Sequence, residues 1–157
     1  MTTLKFSTAI NAPLARCFDL ARSIDLHLAS TQKTKERVVA GRTKGLVEKG
    51  DTITWEAIHF GIKQRLTSSI VDMEPPYLFS DRMIEGAFKS MYHVHGFESK
   101  DGLTVMTDDF RYETPFGILG MLFNSIVLKR YMTGFLVERN AMIKSMAEGS
   151  AWKEILK

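Results

Sequence analysis

His93 and His95 are the residues whose type and spacing most readily suggest chemistry. They stand two apart in a stretch whose alternation predicts a strand, so both side chains face the same way. With Asp81 or Asp108 as a third donor, the pair could hold a metal. Neither H-E-x-x-H nor C-x-x-C is present, however, so no metal site is assigned. A histidine beside a carboxylate is also a general acid–base pair, which makes His95 and Asp108 the candidate catalytic residues if any reaction occurs. The same spacing equally suits two polar residues of a core or pocket. Arg139 is the third notable residue. It falls inside the apolar stripe of a long C-terminal helix, among Leu128, Met132, Phe135, Met142, Ile143 and Met146. A buried guanidinium needs a partner. The choices are an ion pair with Asp81, Glu85 or Asp108, a clamp on an acidic or carbonyl-bearing ligand, or escape of the side chain to solvent. His27 and Cys17 sit among apolar neighbours at helical spacing and are expected to be packed residues.

These residues need elements to position them. Residues 4–10 alternate as a half-buried strand, broken by Asn11-Ala12-Pro13, where Asn11 is the expected cap of a short helix. A second short helix is expected from Ser23. Strands are then predicted over 36–43, 51–60, 62–73, 77–85, 88–97 and 103–113, with turns at His59-Phe60-Gly61 and Ser99-Lys100-Asp101-Gly102. Met106, Asp108, Phe110 and Tyr112 share one face of the last strand. The helical arm over 115–148 carries two apolar groups out of phase. Leu119, Leu122, Phe123 and Ile126 lie nearly opposite the stripe that starts at Leu128. A kink or break near Asn124-Ser125 is therefore expected, giving a short helix that covers one mouth of a pocket and a long one that grips the sheet.

Composition limits the possibilities. The 157 residues suit one domain over the whole chain, 1–157, with 45% hydrophobic and 25% charged residues. A net charge of +3 with interspersed signs gives no reason to expect nucleic acid as a partner. One cysteine excludes an internal disulfide and fits a cytoplasmic setting. No signal peptide or membrane span is read, and neither a phosphate-binding loop nor a dinucleotide fingerprint is present, so no cofactor is expected.

The order is one strand, two short helices, a run of antiparallel strands and a long last helix. With Asn11-Ala12-Pro13-Leu14, Trp55, His59-Phe60-Gly61, Glu74-Pro75-Pro76, Phe79-Ser80-Asp81, Met106-Thr107-Asp108 and Pro115-Phe116-Gly117, it resembles the START / birch-pollen-allergen-like superfamily, SRPBCC. The similarity is to its bacterial branch labelled polyketide cyclase/dehydrase-like or cell-division-inhibitor-like. The resemblance implies an α+β helix-grip fold, a curved antiparallel sheet wrapped around the C-terminal helix with an internal cavity. It also implies ligands such as lipids, sterols, quinones or polyketides. It supplies no catalytic motif to map.

The first expectation is therefore a carrier or sensor for a small apolar molecule. Arg139, Asp108, His95 and His93 would make its polar contacts, and Trp55, Phe79, Met83, Phe97, Phe110, Met132 and Phe135 its wall. The alternatives are an aromatase, cyclase or dehydratase, and a module that touches a membrane or a protein through Leu119, Leu122, Phe123 and Ile126. A monomer and a homodimer are both compatible with the sequence.

Overall fold

The computed structural model describes residues 1–157. Strand β1 (Thr2–Ile10) is followed by helices α1 (Leu14–Ala21) and α2 (Ile24–Ser30) and a 3₁₀ turn, Gln32–Thr34. Strands β2 (Arg37–Gly41), β3 (Thr52–His59), β4 (Ile62–Glu74), β5 (Leu78–Glu85), β6 (Ser90–Lys100) and β7 (Leu103–Glu113) come next. The chain ends in α3 (Gly117–Phe123), a π-helical turn (Asn124–Leu128), α4 (Lys129–Glu148) and a short α5 (Trp152–Ile155).

The strands form one antiparallel sheet in the order β1-β7-β6-β5-β4-β3-β2, so each hairpin partner is a neighbour and β1 closes onto β7. Two hairpins turn where the sequence placed them. Phe60 and Gly61 at φ 54° and 74°, and Asp101 and Gly102 at 52° and 78°, have the two consecutive positive φ values of a two-residue turn matched to strand twist. Irregular register between Val38 and Ala40, at Thr67/Ser68 and at Ile70/Asp72 marks the bulges that bend β2 and β4. The result is the curved sheet and long C-terminal helix of a helix-grip fold.

Two local expectations change. Asn11 does not cap α1. Pro13 occupies the cap position, and the Asn11 backbone N–H donates to Glu148 Oε1 at 2.9 Å, tying the end of β1 to the end of α4. Ser23 does cap α2, accepting from the Leu26 N–H at 3.2 Å. The helical arm does not break at Asn124-Ser125. It stays helical and passes through the π turn, whose wider winding advances each residue by less than an α-helical step and so rotates one apolar group relative to the other.

Asn124 provides the local cause. Its Oδ1 accepts from Tyr112 Oη at 2.6 Å, and its Nδ2 donates to Thr2 Oγ1 at 2.9 Å, so β7 and β1 both hold the turn. Beyond it, α4 buries Leu136, Arg139, Asn140, Ile143 and Ala147 at helical spacing. Before it, the apolar side chains of α3 stay largely in solvent.

The apolar core has three parts. One lies under α1 and the end of α4, around Phe18, Phe79, Phe97, Met106 and Ile143. Another joins β1, β6 and β7 to Leu136, and the third joins α2 to β3 and β4 around Ile53, Trp55 and Ile70. Because Asn124 makes two part-buried hydrogen bonds, Asn124→Ala should lower stability by about 1–3 kcal/mol in urea denaturation. Ser125→Ala, at an exposed hydroxyl, should stay within about 0.5 kcal/mol of the parent.

Candidate functional site

Strand register assembles the polar centre before any helix is added. On β6, His93 lies opposite Asp81 of β5, and His95 lies opposite Asp108 of β7. Parity puts all four side chains on the concave face. His93 donates from Nε2 to Asp108 Oδ1 at 2.8 Å, and His95 donates from Nε2 to Asp81 Oδ1 at 3.2 Å. The other ring nitrogen of His95 stands 3.3 Å from Asp108 Oδ1 without hydrogen-bond geometry. The two imidazoles are 3.8 Å apart between centroids, and Phe79 stacks on the far side of His95 at 4.1 Å.

Helix α4 supplies the rest. Asn140 Nδ2 donates to Asp108 Oδ2 at 2.6 Å, and Arg139 Nη1 lies 3.6 Å from Asp108 Oδ1. Arg139 also donates to Asn140 Oδ1 at 3.2 Å and to the Ala21 carbonyl at the end of α1 at 3.1 Å. Of the three expectations for Arg139, the geometry matches the ion pair with Asp108, while the same side chain still borders the cavity.

Burial shifts these groups in opposite ways. Burial alone would raise the Asp108 carboxyl, but the hydrogen bond from His93, the close His95 ring and the Arg139 charge hold it well below the usual range. Asp81 is likewise raised by burial, and more than compensated by His95, His93 and Arg139. Burial, reinforced by His95, pushes His93 down to about 4 against the pull of Asp108, so its ring is neutral at pH 7.

A cavity of about 820 Å³ lies between the sheet and the helical arm. His93, His95 and Arg139 border it, and so do Trp55, Phe79, Phe110, Met132 and Phe135. Three expected wall or contact residues lie elsewhere. Asp108 has no exposed side-chain surface, because both histidines and Asn140 cover it. Phe97 points to the concave face but is covered by α1, with Phe18 edge-on at 5.5 Å. Met83 packs beneath the Gly86 turn, beside Leu66.

Several polar residues on the site escaped the sequence reading. Asn140 sits at the edge of an apolar stripe, where a polar residue normally means solvent. Glu36, His59 and Tyr131 also border the cavity, as does His27, expected only as a packed residue, which stacks on Trp55 and is not sealed off. The available signal for Tyr131 was its place one turn before Phe135.

Asp81, His93 and His95 offer three donor atoms within 4.8 Å of one another, a spacing that a metal ion could use. The nitrogens that face carboxylates already serve as hydrogen-bond donors, and the Arg139 guanidinium supplies positive charge beside Asp108. Each histidine nevertheless keeps its second ring nitrogen outside these bonds.

Two outcomes follow from this geometry. One proton is taken up on unfolding wherever free His93 titrates and buried His93 does not, so stability should fall as pH drops from about 6.5 toward 4. The slope is at most about 1.4 kcal/mol per pH unit for one group, measurable from urea midpoints, and His93→Asn should remove that contribution. Asp108→Ala leaves His93 and Asn140 without their acceptor and Arg139 without its counter-charge, and should cost about 3–5 kcal/mol.

No family model matches the chain, and no curated protein matches it. Solved structures do. TTHA0849 from Thermus thermophilus is 20% identical at a TM-score of 0.70, over 93% of this chain and 99% of that one. Ginseng major latex-like protein 151 from Panax ginseng is 15% identical at 0.68, over 94% and 98%. The di-domain ARO/CYC StfQ from the steffimycin biosynthetic pathway is 12% identical at 0.75, over 95% of this chain and 51% of that one. At such identities the likeness speaks for the fold. The strand order, the gripped helix and these neighbours together establish that the chain has the helix-grip fold its resemblance to the SRPBCC superfamily implied.

Proposed function

We propose that the protein binds a small, largely apolar molecule of lipid-, quinone- or polyketide-like character between the sheet and the helical arm, as a carrier or sensor. The observation that carries this reading is the cavity of about 820 Å³, in which 23 of 38 lining residues are hydrophobic and a few polar groups converge. Apolar walls with sparse polar groups are the usual make-up of a small-molecule site. Phe110, Met132 and Phe135 supply the wall, and Arg139 and His93 offer polar contacts to a carbonyl or hydroxyl. Asp108 acts through them as a positioning residue. Both carboxylates of the centre accept from histidines, which fixes the two rings at the edge of the cavity. Native mass spectrometry of freshly purified protein should show a fraction carrying an added small-molecule mass. Only the bare chain mass, with no uptake of apolar probes, would contradict the reading.

The mouth of the cavity supports a membrane as the place of exchange. Phe116 and Ile118 are 84% and 83% exposed, and Leu119, Met121, Leu122 and Ile126 are exposed too. Phe60, Phe116, Leu119 and Phe123 belong both to this surface and to the cavity lining. The exposure runs around α3 rather than along one stripe, which suits immersion in a lipid interface better than a flat protein groove. Residues 114–137 hold no acidic side chain and include exposed Lys129 and Arg130, complementary to anionic headgroups. No helix is long and apolar enough to cross a membrane. Vesicles of mixed phosphatidylglycerol and phosphatidylcholine should co-sediment the protein. Leu119→Asp should weaken that binding by about tenfold, and pure phosphatidylcholine should bind less. No vesicle binding, with a concentration-dependent dimer instead, would assign the surface to a second copy of the chain.

A further inference from the structure

A second polar cluster faces the cavity at a distance from the Asp108 centre. Lys35 takes a left-handed conformation, φ 51°, after the 3₁₀ turn, and the next residue, Glu36, turns toward the interior. Its side chain is only 9% exposed. Glu36 Oε1 lies 3.2 Å from His27 Nε2, while Oε2 is buried and accepts no hydrogen bond. A buried carboxylate oxygen without a donor is costly, and a ligand that brings one would relieve that cost. His27 is fixed by stacking on Trp55, 4.3 Å between ring centroids. His59 Nδ1 and Tyr131 Oη, on the same cavity, are hydrogen-bonded at 2.7 Å, and Tyr131 also packs against Phe60. Glu36, His27, His59 and Tyr131 all border the same cavity.

The protons can be counted. Burial raises the Glu36 carboxyl, but His27, Thr31 and His59 bring it below its ordinary value, so it is an acceptor only. Burial lowers His59 and raises Tyr131, leaving a neutral ring and an intact phenol. Those two groups hold two protons between them and use one in their mutual bond, which leaves one free donor. Apart from the contact between His27 and Glu36 Oε1, the cluster offers one acceptor, Glu36 Oε2, and one donor, from His59 or Tyr131. A ligand hydroxyl matches both, giving its proton to Glu36 and accepting from the pair. An ammonium would leave the free donor unmatched.

We infer that Glu36, with His27, His59 and Tyr131, forms a second subsite of the cavity that takes a hydroxyl group of the ligand. The inference rests on the binding reading above and specifies its ligand, an apolar body with a hydroxyl at one end and a polar group at the other. The first centre spans β5 to β7 and this one lies by β3, at least two strand spacings away, about 10 Å across the sheet.

Equilibrium dialysis with 2-naphthol and 2-methylnaphthalene tests it, since the two probes share a shape and differ in the hydroxyl. The parent protein should bind 2-naphthol about tenfold tighter, the gain expected for one hydrogen bond to a buried carboxylate. Glu36→Leu should abolish that preference and leave the 2-methylnaphthalene affinity within about twofold. If Glu36→Leu does not fold, Glu36→Gln keeps the shape and should reduce the preference by about threefold, because a neutral acceptor replaces a charged one. Equal binding of both probes by the parent, or a preference that survives undiminished in the Glu36 variant, overturns the subsite and leaves the cavity reading standing. Failure of both probes to bind overturns the cavity reading itself.

Discussion

The buried carboxylate of Asp108 is the interaction on which the rest of the structure depends. A charge without water must be matched locally or it destabilises the fold by several kcal/mol. Here the match comes from β6 through His93, and from α4 through Asn140 and Arg139. Those partners can meet only if β6, β7 and α4 hold one register, and Arg139 then fixes the end of α1 through the Ala21 carbonyl. Apolar packing alone would let the helix slide along the sheet at small cost. A set of directional contacts to one carboxylate does not.

The cavity follows from where that anchor sits. Arg139 and Asn140 lie in the middle of α4, and Ile143 and Ala147 seal the turns after them against α1 and the sheet. The helical arm before them passes over the sheet with only part of its surface engaged, and the π turn held by Asn124 sends α3 out over the opening. Space is thus left under the first half of the arm, with polar groups at two places and apolar side chains between. The neighbours that share this fold at 12–20% identity show how little of the sequence the architecture requires. The ligand is to be sought from the polar residues placed in the cavity rather than from the fold.

Much of this was legible in the residues because it depends on period. The alternation of Met106, Asp108, Phe110 and Tyr112 gave the buried face of β7, and the spacing of His93 and His95 put both on one side of β6. The stripe through Leu136, Arg139 and Ile143 gave the gripping face of α4. What period does not encode was missed. Asn140 is a polar residue whose burial depends on a carboxylate 32 positions away. Glu36, read as the first residue of a strand, precedes β2 in the structure, and strand period does not tell which way it turns. Phe97 has the right parity for the wall, but only the packing of α1 decides that it is covered. The change of phase at Asn124 was visible, while its form was not, since a kink and a π turn both displace a stripe.

The central claim is that the space under the first half of the helical arm is where a ligand sits. Methionine methyl NMR reads it directly, because Met91 and Met132 line that space while Met121 projects into solvent and Met142 does not border the cavity. On titration with 2-naphthol, the account predicts saturable shifts at Met91 and Met132, with Met121 and Met142 unmoved. Shifts confined to Met121, with Met91 and Met132 unchanged, would place binding on the outer surface and contradict it.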